Sequence, residues 1–222
     1  MGQPLNLKPF YVALAVIAVA GAAFIINSRV SAPTVTLVPA GTTPAFPGHT
    51  MGSDSAPVEI IEYADFQCPA CATFAILTGG DVRRKLVATG RVRWSFRDFP
   101  LPGHDKAPLA HLAAACAGEQ NRFWEMHDQL FFNQGTWTRE RRADRIFEQY
   151  ARTIGVDVDA YRTCVAEQRH MARIAATKES GIALGVGSTP SFIVGGRLVA
   201  GSISYANLVQ LVEQAEAPAG GR

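Results

Sequence analysis

Val58-Glu59-Ile60-Ile61-Glu62-Tyr63 runs, three residues later, into Phe66-Gln67-Cys68-Pro69-Ala70-Cys71, and the fold is decided there. The first six residues are rich in β-branched side chains and partly continuous in their apolar pattern, which predicts a central strand buried on both faces. Residues 71–88 read as a helix, with Gly90 placed at its C-cap. The C-x-x-C therefore falls where a strand hands over to a helix. Unpaired N–H groups and the helix dipole favour negative charge at such a start, so Cys68 is placed to become a thiolate, the reactive form of the thiol. Pro69 suits the first helical turn, where its missing N–H would have had no partner.

Outward from that stretch, residues 92–96 alternate apolar with polar (Val92, Trp94 and Phe96 inward) and read as the next strand, ended by Pro100 and Pro102. Residues 106–184 are almost wholly helical in pattern. Leu109, Leu112, Ala113 and Cys116 recur at i, i+3, i+4 and i+7, which places Cys116 on a buried stripe. Phe123, His127, Leu130 and Phe131 repeat that spacing, and Gly135 can stop the helix. Residues 141–154 form a third helix. Asp159 is a good N-cap for a fourth, with Tyr161, Cys164 and Val165 on one face, and residues 170–184 form a fifth. Ser191–Val194 and Arg197–Ala200 read as strands joined by Gly195-Gly196, a hairpin signal, and an amphipathic helix closes the chain over residues 204–216. The order predicts an α/β layer spanning residues 53–216, with a helical insertion over about 104–185 and a frayed tail at 217–222.

Residues 10–26 are an unbroken apolar run of 17 residues. As a helix it spans about 26 Å, slightly short of a hydrocarbon core of roughly 30 Å. Residues 1–27 are expected to anchor the chain in a membrane as a single helix, with a cleaved signal peptide as the rival. Residues 28–52, rich in Pro, Thr, Ser, Gly and Ala, read as a flexible tether, in which Val35-Thr36-Leu37-Val38 can form a short strand. The net charge of +2 implies no acidic partner, and Arg139, Arg141, Arg142 and Arg145 fit a solvated helix face better than a nucleic-acid surface. The four cysteines form two pairs or one metal site. No second close pair exists and no histidine has ligand spacing, so no metal is expected.

Cys68-Pro69-Ala70-Cys71 early, Ala115-Cys116-Ala117-Gly118-Glu119-Gln120 in the helical block and Gly187-Ser188-Thr189-Pro190-Ser191-Phe192 late together resemble the DsbA-like branch of the thioredoxin superfamily. The resemblance covers roughly residues 53–216. It implies a thioredoxin-like fold with inserted helices and a thiol–disulfide oxidoreductase that needs no cofactor. Cys68 is then the exposed nucleophile and Cys71 the buried partner. Pro190 is a cis-proline beside the dithiol, and Thr189 offers backbone groups to a bound peptide, with Pro69, Ala70 and Ser188 also facing substrate. Glu62 matches the family's buried acid, a proton acceptor for Cys71, where the residues alone also allow a solvent-facing strand position. Cys116–Cys164 is implied as a structural disulfide closing a long loop, worth about 4 kcal/mol, against two buried free thiols. Expected partners are reduced or unfolded exported proteins and a quinone-linked membrane thiol oxidase, with the domain outside the cytoplasm at a bacterial cell membrane.

Pro-Ala stands between the cysteines where the family's strongest oxidants carry Pro-His. One source of thiolate stabilisation is missing, so an oxidase less oxidising than the family extreme is expected. A reductase or isomerase of the same fold, or a non-catalytic module gripping extended peptides at Thr189-Pro190, are the alternatives. The intact C-x-x-C argues against the latter.

Overall fold

The structure is a computed structural model that describes residues 11–14, 16, 17, 19, 35–38, 46 and 48–217. The chain divides into two units, Met1–Pro33 and Thr34–Arg222. In the first, the described residues are helical and exposed. Most of the expected anchor, residues 1–27, lies outside the described residues, and so do residues 218–222 of the tail. Among the described residues no helix is long and apolar enough to cross a membrane.

The second unit is built on a sheet of six strands: β1 (Val35–Leu37), β2 (His49–Met51), β3 (Val58–Ala64), β4 (Val92–Asp98), β5 (Ser191–Val194) and β6 (Arg197–Ala200). Their order is β1-β6-β5-β3-β4-β2. β3 is central, parallel to β4 and antiparallel to β5, which explains why its sequence is apolar on both faces. Gly195 and Gly196, at φ +54° and +74°, make the tight turn between β5 and β6, a conformation open to glycine at little cost.

Residues 35–37 form the short strand allowed within the tether, and one expectation changes: residues 49–51, read as tether, form a second strand, and both lie at the sheet edges. β1 pairs with β6 and β2 with β4, so the folded unit begins before Ser53. The three residues of β2 carry too little alternation to show in sequence, and their pairing partner is remote.

Helices fill the rest: α1 (Pro69–Phe74) and α2 (Gly80–Val82), then α3 (Ala107–Gly118), α4 (Phe123–Phe132), α5 (Gln134–Trp137), α6 (Ala143–Thr153), α7 (Val158–Ala166), α8 (Met171–Ala183) and α9 (Tyr205–Glu216). The helix expected over residues 71–88 starts at Pro69 and is not uniformly α. π-helical turns at Ala75–Gly79 and Arg83–Val87 widen it. Gly79-Gly80 weakens the α register there, and the chain lies so close to the sheet that a Cβ at Gly79 would come within 3.3 Å of the Trp94 ring. α7 is capped by Asp157, not Asp159: Asp157 has extended backbone angles and its carboxylate accepts the N–H of Asp159 and Ala160.

Helices α3 to α8 form the insertion between β4 and β5. Phe66, Cys68, Cys71 and Phe96 pack with Cys116, Phe123, Met126, Leu130, Phe131, Trp137, Phe147 and Cys164 in one core cluster. The other main cluster joins the sheet to α9 through Ile60, Trp94, Phe192, Val199, Leu208 and Val212. The thiol pair thus sits where the sheet meets the inserted helices.

Candidate active site

Cys68 occupies the N-cap of α1, extended at φ −75°, ψ 122°, with Pro69 as the first helical residue. Cys68, expected to be exposed, is instead buried at 6% exposure, because the Thr189–Pro190 loop lies over its sulfur, and Cys71, one turn on, is fully buried. Both are free thiols. The Cys68 thiol donates to the carbonyl oxygen of Thr189, 3.4 Å away. The Thr189–Pro190 bond, between α8 and β5, is cis. Thr189 Oγ1 is buried without another hydrogen-bond partner and can donate once the sulfur is ionised.

The two thiols differ sharply in acidity. Cys68 is pulled down to about 5, first by the Cys71 thiol donating to it, then by the Thr189 side chain and the backbone N–H groups of Cys71 and Ala70 at the helix start. Burial opposes the shift and is outweighed. Cys71 is pushed well above its ordinary range by burial, by its bond to Cys68 and by the nearby charges of Cys68 and Glu62.

Glu62, on β3, is 1% exposed, which removes the solvent-facing alternative. Burial raises its pKa to about 8, offset in part by the Trp94 indole N–H, which donates to Oε2 at 3.0 Å, and by the charge of Arg83. A carboxyl group at about 8 exchanges protons readily near neutrality. Its charge is felt by Cys71, which places it in electrostatic reach of the buried thiol.

The loop between β3 and α1 is held by residues the sequence did not single out for this purpose. The fully buried Asp65 carboxylate accepts the N–H of Gln67 (2.6 Å) and of Leu101 (2.7 Å) and pairs with His104 Nδ1 (2.7 Å). His104 therefore reaches the site as a brace on Asp65. Gln67 accepts the Lys106 N–H at 2.8 Å and donates to Asp105 at 3.1 Å. From α5, the Gln134 amide donates to the carbonyls of Phe66 (2.7 Å) and Cys68 (2.9 Å). An acidic residue ending a central strand was a signal available for Asp65. Gln134 had none, being 66 residues from the carbonyl it holds.

Pro69 and Ser188 are exposed and Ala70 half-buried, around the buried Thr189 and Pro190. Ser188 accepts the Ser191 hydroxyl at 2.7 Å, which steadies the turn before β5. The structure thus brings Cys68, Cys71, Glu62, Thr189 and Pro190 to one place. Cys116 and Cys164 lie apart, joined at 2.04 Å between the sulfurs and tying α3 to α7. His170 lies within 4.8 Å of both sulfurs, but sulfurs bound to one another leave that cluster a single imidazole to offer.

A family profile described as Thioredoxin matches residues 45–214. Among curated relatives, an Na(+)/H(+) antiporter NhaA 3 of Salinispora tropica is 37% identical over 78% of this chain but 26% of its own length. The chain spans about a quarter of the length of these antiporters. A probable disulfide bond formation protein D of Bacillus cereus is 26% identical over 67% of this chain and 70% of its own. Among solved structures, oxidised BdbD of Bacillus subtilis superimposes with a TM-score of 0.69 at 18% identity, covering 84% of this chain and 99% of that one.

Proposed function

The chain belongs to the thioredoxin family, in its DsbA-like form, and on that premise we propose that it is a thiol–disulfide oxidoreductase introducing disulfides into exported proteins. The observation that carries this reading is the split between Cys68, held at about 5, and Cys71, held high, one helical turn apart beside a cis Thr189–Pro190 bond.

The chemistry follows from that split. In the oxidised state a client thiolate attacks the Cys68 sulfur, the Cys68–Cys71 bond breaks, and Cys71 leaves as a thiolate that takes up a proton from Glu62. The second client thiolate then attacks the client sulfur of the mixed disulfide. Cys68 leaves as a thiolate, which is a good leaving group because the helix start, the Cys71 thiol and Thr189 stabilise it. The client gains a disulfide and the protein is left as a dithiol. Re-oxidation runs through the same atoms. Cys68 attacks an incoming disulfide, Cys71 gives its proton to Glu62, and the Cys71 thiolate closes the bond and expels the second sulfur of the oxidant.

Stabilising the Cys68 thiolate stabilises the reduced protein and makes its disulfide oxidising. An acidity of about 5 lies between those of thioredoxin, about 7, and DsbA, about 3.5, in keeping with Pro-Ala in place of Pro-His. The extended client segment would run beside Ser188, Thr189 and Pro190, with Pro69 and Ala70 on the other side of the sulfur. The apolar residues 10–26 support a membrane tether that keeps the domain outside the cytoplasm, within reach of a quinone-linked membrane thiol oxidase.

The test is the reduction potential of the full chain, combined with trapping. We expect a potential between about −270 and −120 mV. Cys71→Ser should accumulate mixed disulfides with exported proteins, and Cys68→Ser should accumulate none. A thioredoxin-like potential near −270 mV, together with a resting dithiol in intact cells, would overturn the oxidase direction.

A further inference from the structure

Beyond the dithiol, Glu62 is met by an arrangement on its other side. Arg83, on the π-helical turn after α2, lies over the Trp94 ring at 5.7 Å and over Trp124 at 5.4 Å. Trp94 is the indole that donates to Glu62. Arg83 forms a two-pronged ion pair with Asp128 of α4, at 2.5 and 2.6 Å, and both partners are about a quarter exposed. The fully buried face of this pair carries His127, whose Nδ1 lies 2.8 Å from Asp128 and 3.3 Å from Arg83. His127 is packed among Phe66, Trp94, Phe96 and Trp124, and burial holds it below its ordinary range, so the imidazole adds no charge at neutral pH.

The residues that pair with Glu62 on the neighbouring strands, Phe96 and Phe192, are apolar. The charges that bear on its carboxylate are therefore Arg83, across the indole, and the Cys71 sulfur. Arg83 in turn is paired with Asp128. Such a pair is an adjustable counter-charge, because losing the cation or losing the anion changes the field beyond the indole in opposite directions.

We propose that Arg83 and Asp128, acting through Trp94, are positioning residues that set how readily Glu62 accepts the proton of Cys71, and hence how fast Cys71 closes the active-site disulfide. The inference rests on the oxidoreductase reading above. Atoms and electrons balance as follows. The Cys68 thiolate attacks an aromatic disulfide and expels one thionitrobenzoate, leaving a mixed disulfide. The Cys71 proton passes to the Glu62 carboxylate. The Cys71 thiolate then attacks Cys68 Sγ, forming Cys68–Cys71 and expelling a second thionitrobenzoate. Two electrons leave the protein and the probe disulfide is reduced.

Arg83 and Asp128 make opposite predictions for that last release, which separates electrostatics from damage. Stopped-flow absorbance of the reduced full chain resolves the two releases across pH. Arg83→Met removes the favourable charge. It should slow the second release about threefold near neutrality and move its pH midpoint upward. Asp128→Asn unmasks the guanidinium and should speed the second release about threefold, with the midpoint moving down. The first release, made by Cys68, should be the same in both variants. Glu62→Gln should remove the midpoint altogether. A purely structural ion pair would be disrupted equally by either change, so shifts of the same sign, or no shift in either variant, overturn the proposal. A wild-type protein that releases both equivalents while the variants match it overturns this inference alone. A wild-type protein that releases none overturns the oxidoreductase reading and this one with it.

Discussion

The molecule holds two pairs of cysteines, and their environments divide the labour between them. Cys68 and Cys71 are three residues apart at a helix start, where backbone N–H groups converge on one sulfur and burial isolates the other. Cys116 and Cys164 are 48 residues apart, both fully buried on helices of the insertion, and joined. Both pairs belong to one buried cluster, but only the first has groups around it that stabilise a thiolate, and the second has its sulfurs joined. Sulfurs of one kind thus stand as an ionisable free-thiol pair in one place and as a strut in the other. The helix terminus, the cis-proline loop and the buried acid make the difference.

Acid should break the comparison most forcibly. The Cys68 pKa is depressed in the fold, so the stability this group lends the reduced protein is present above its ordinary value of 9 and is lost as pH falls through about 5. Denaturant unfolding of the reduced protein should lose on the order of 5 kcal/mol across that window from this group alone. Thiolate absorbance should titrate near pH 5, with no second thiolate appearing below pH 9. A titration near 9 for Cys68 would make the two pairs alike.

Removing the strut tests the other side. Cys116→Ala with Cys164→Ala opens a 48-residue loop and should cost about 4 kcal/mol in urea unfolding. The rate at which Cys68 attacks a small disulfide should stay unchanged, and a slowed attack would mean that the two pairs are coupled.

Glu62→Gln sharpens the picture at the redox centre. The raised pKa means that the protonated carboxyl is favoured in the fold. Its stabilisation is complete below the ordinary value of 4.5 and is lost as pH rises through about 8. Glutamine carries no such loss, so the variant should be more stable at pH 7 by on the order of 3 kcal/mol, with the advantage vanishing in acid. Equal stability across pH would mean that Glu62 is not held neutral. The smallest effect is expected from Gln134→Ala. It leaves the Phe66 and Cys68 carbonyls without the amide that crosses from α5 and should cost about 1–2 kcal/mol. A slight rise in the Cys68 titration should accompany it, read by the same absorbance.

The parts of this design that a reader of the sequence can see are those written in local periodicity. The β-branched run of β3, the Cys-Pro at the start of α1, the Gly-Gly hairpin and the i+7 placement of Cys116 each show within a few residues. What escapes is long-range. β2 is three residues long and exists because β4 offers it an unpaired edge. Asp157 outcompetes Asp159 as a cap because its backbone is extended, which composition does not reveal. The indole that donates to Glu62 comes from another strand, and the amide that grips Cys68 comes from the insertion. The catalytic types were legible, and their supports were not.

The outer strands of the sheet carry a practical consequence. The segment before residue 53 supplies both β1 and β2, which border the sheet on opposite sides. Cutting the chain at Ser53 would lay bare the hydrogen-bonding rims of β6 and β4 together. Exposed rims of that kind recruit further strands and seed self-association. The N-terminal arm is a pair of bookends, and a shortened form without it should precipitate before its chemistry can be tested.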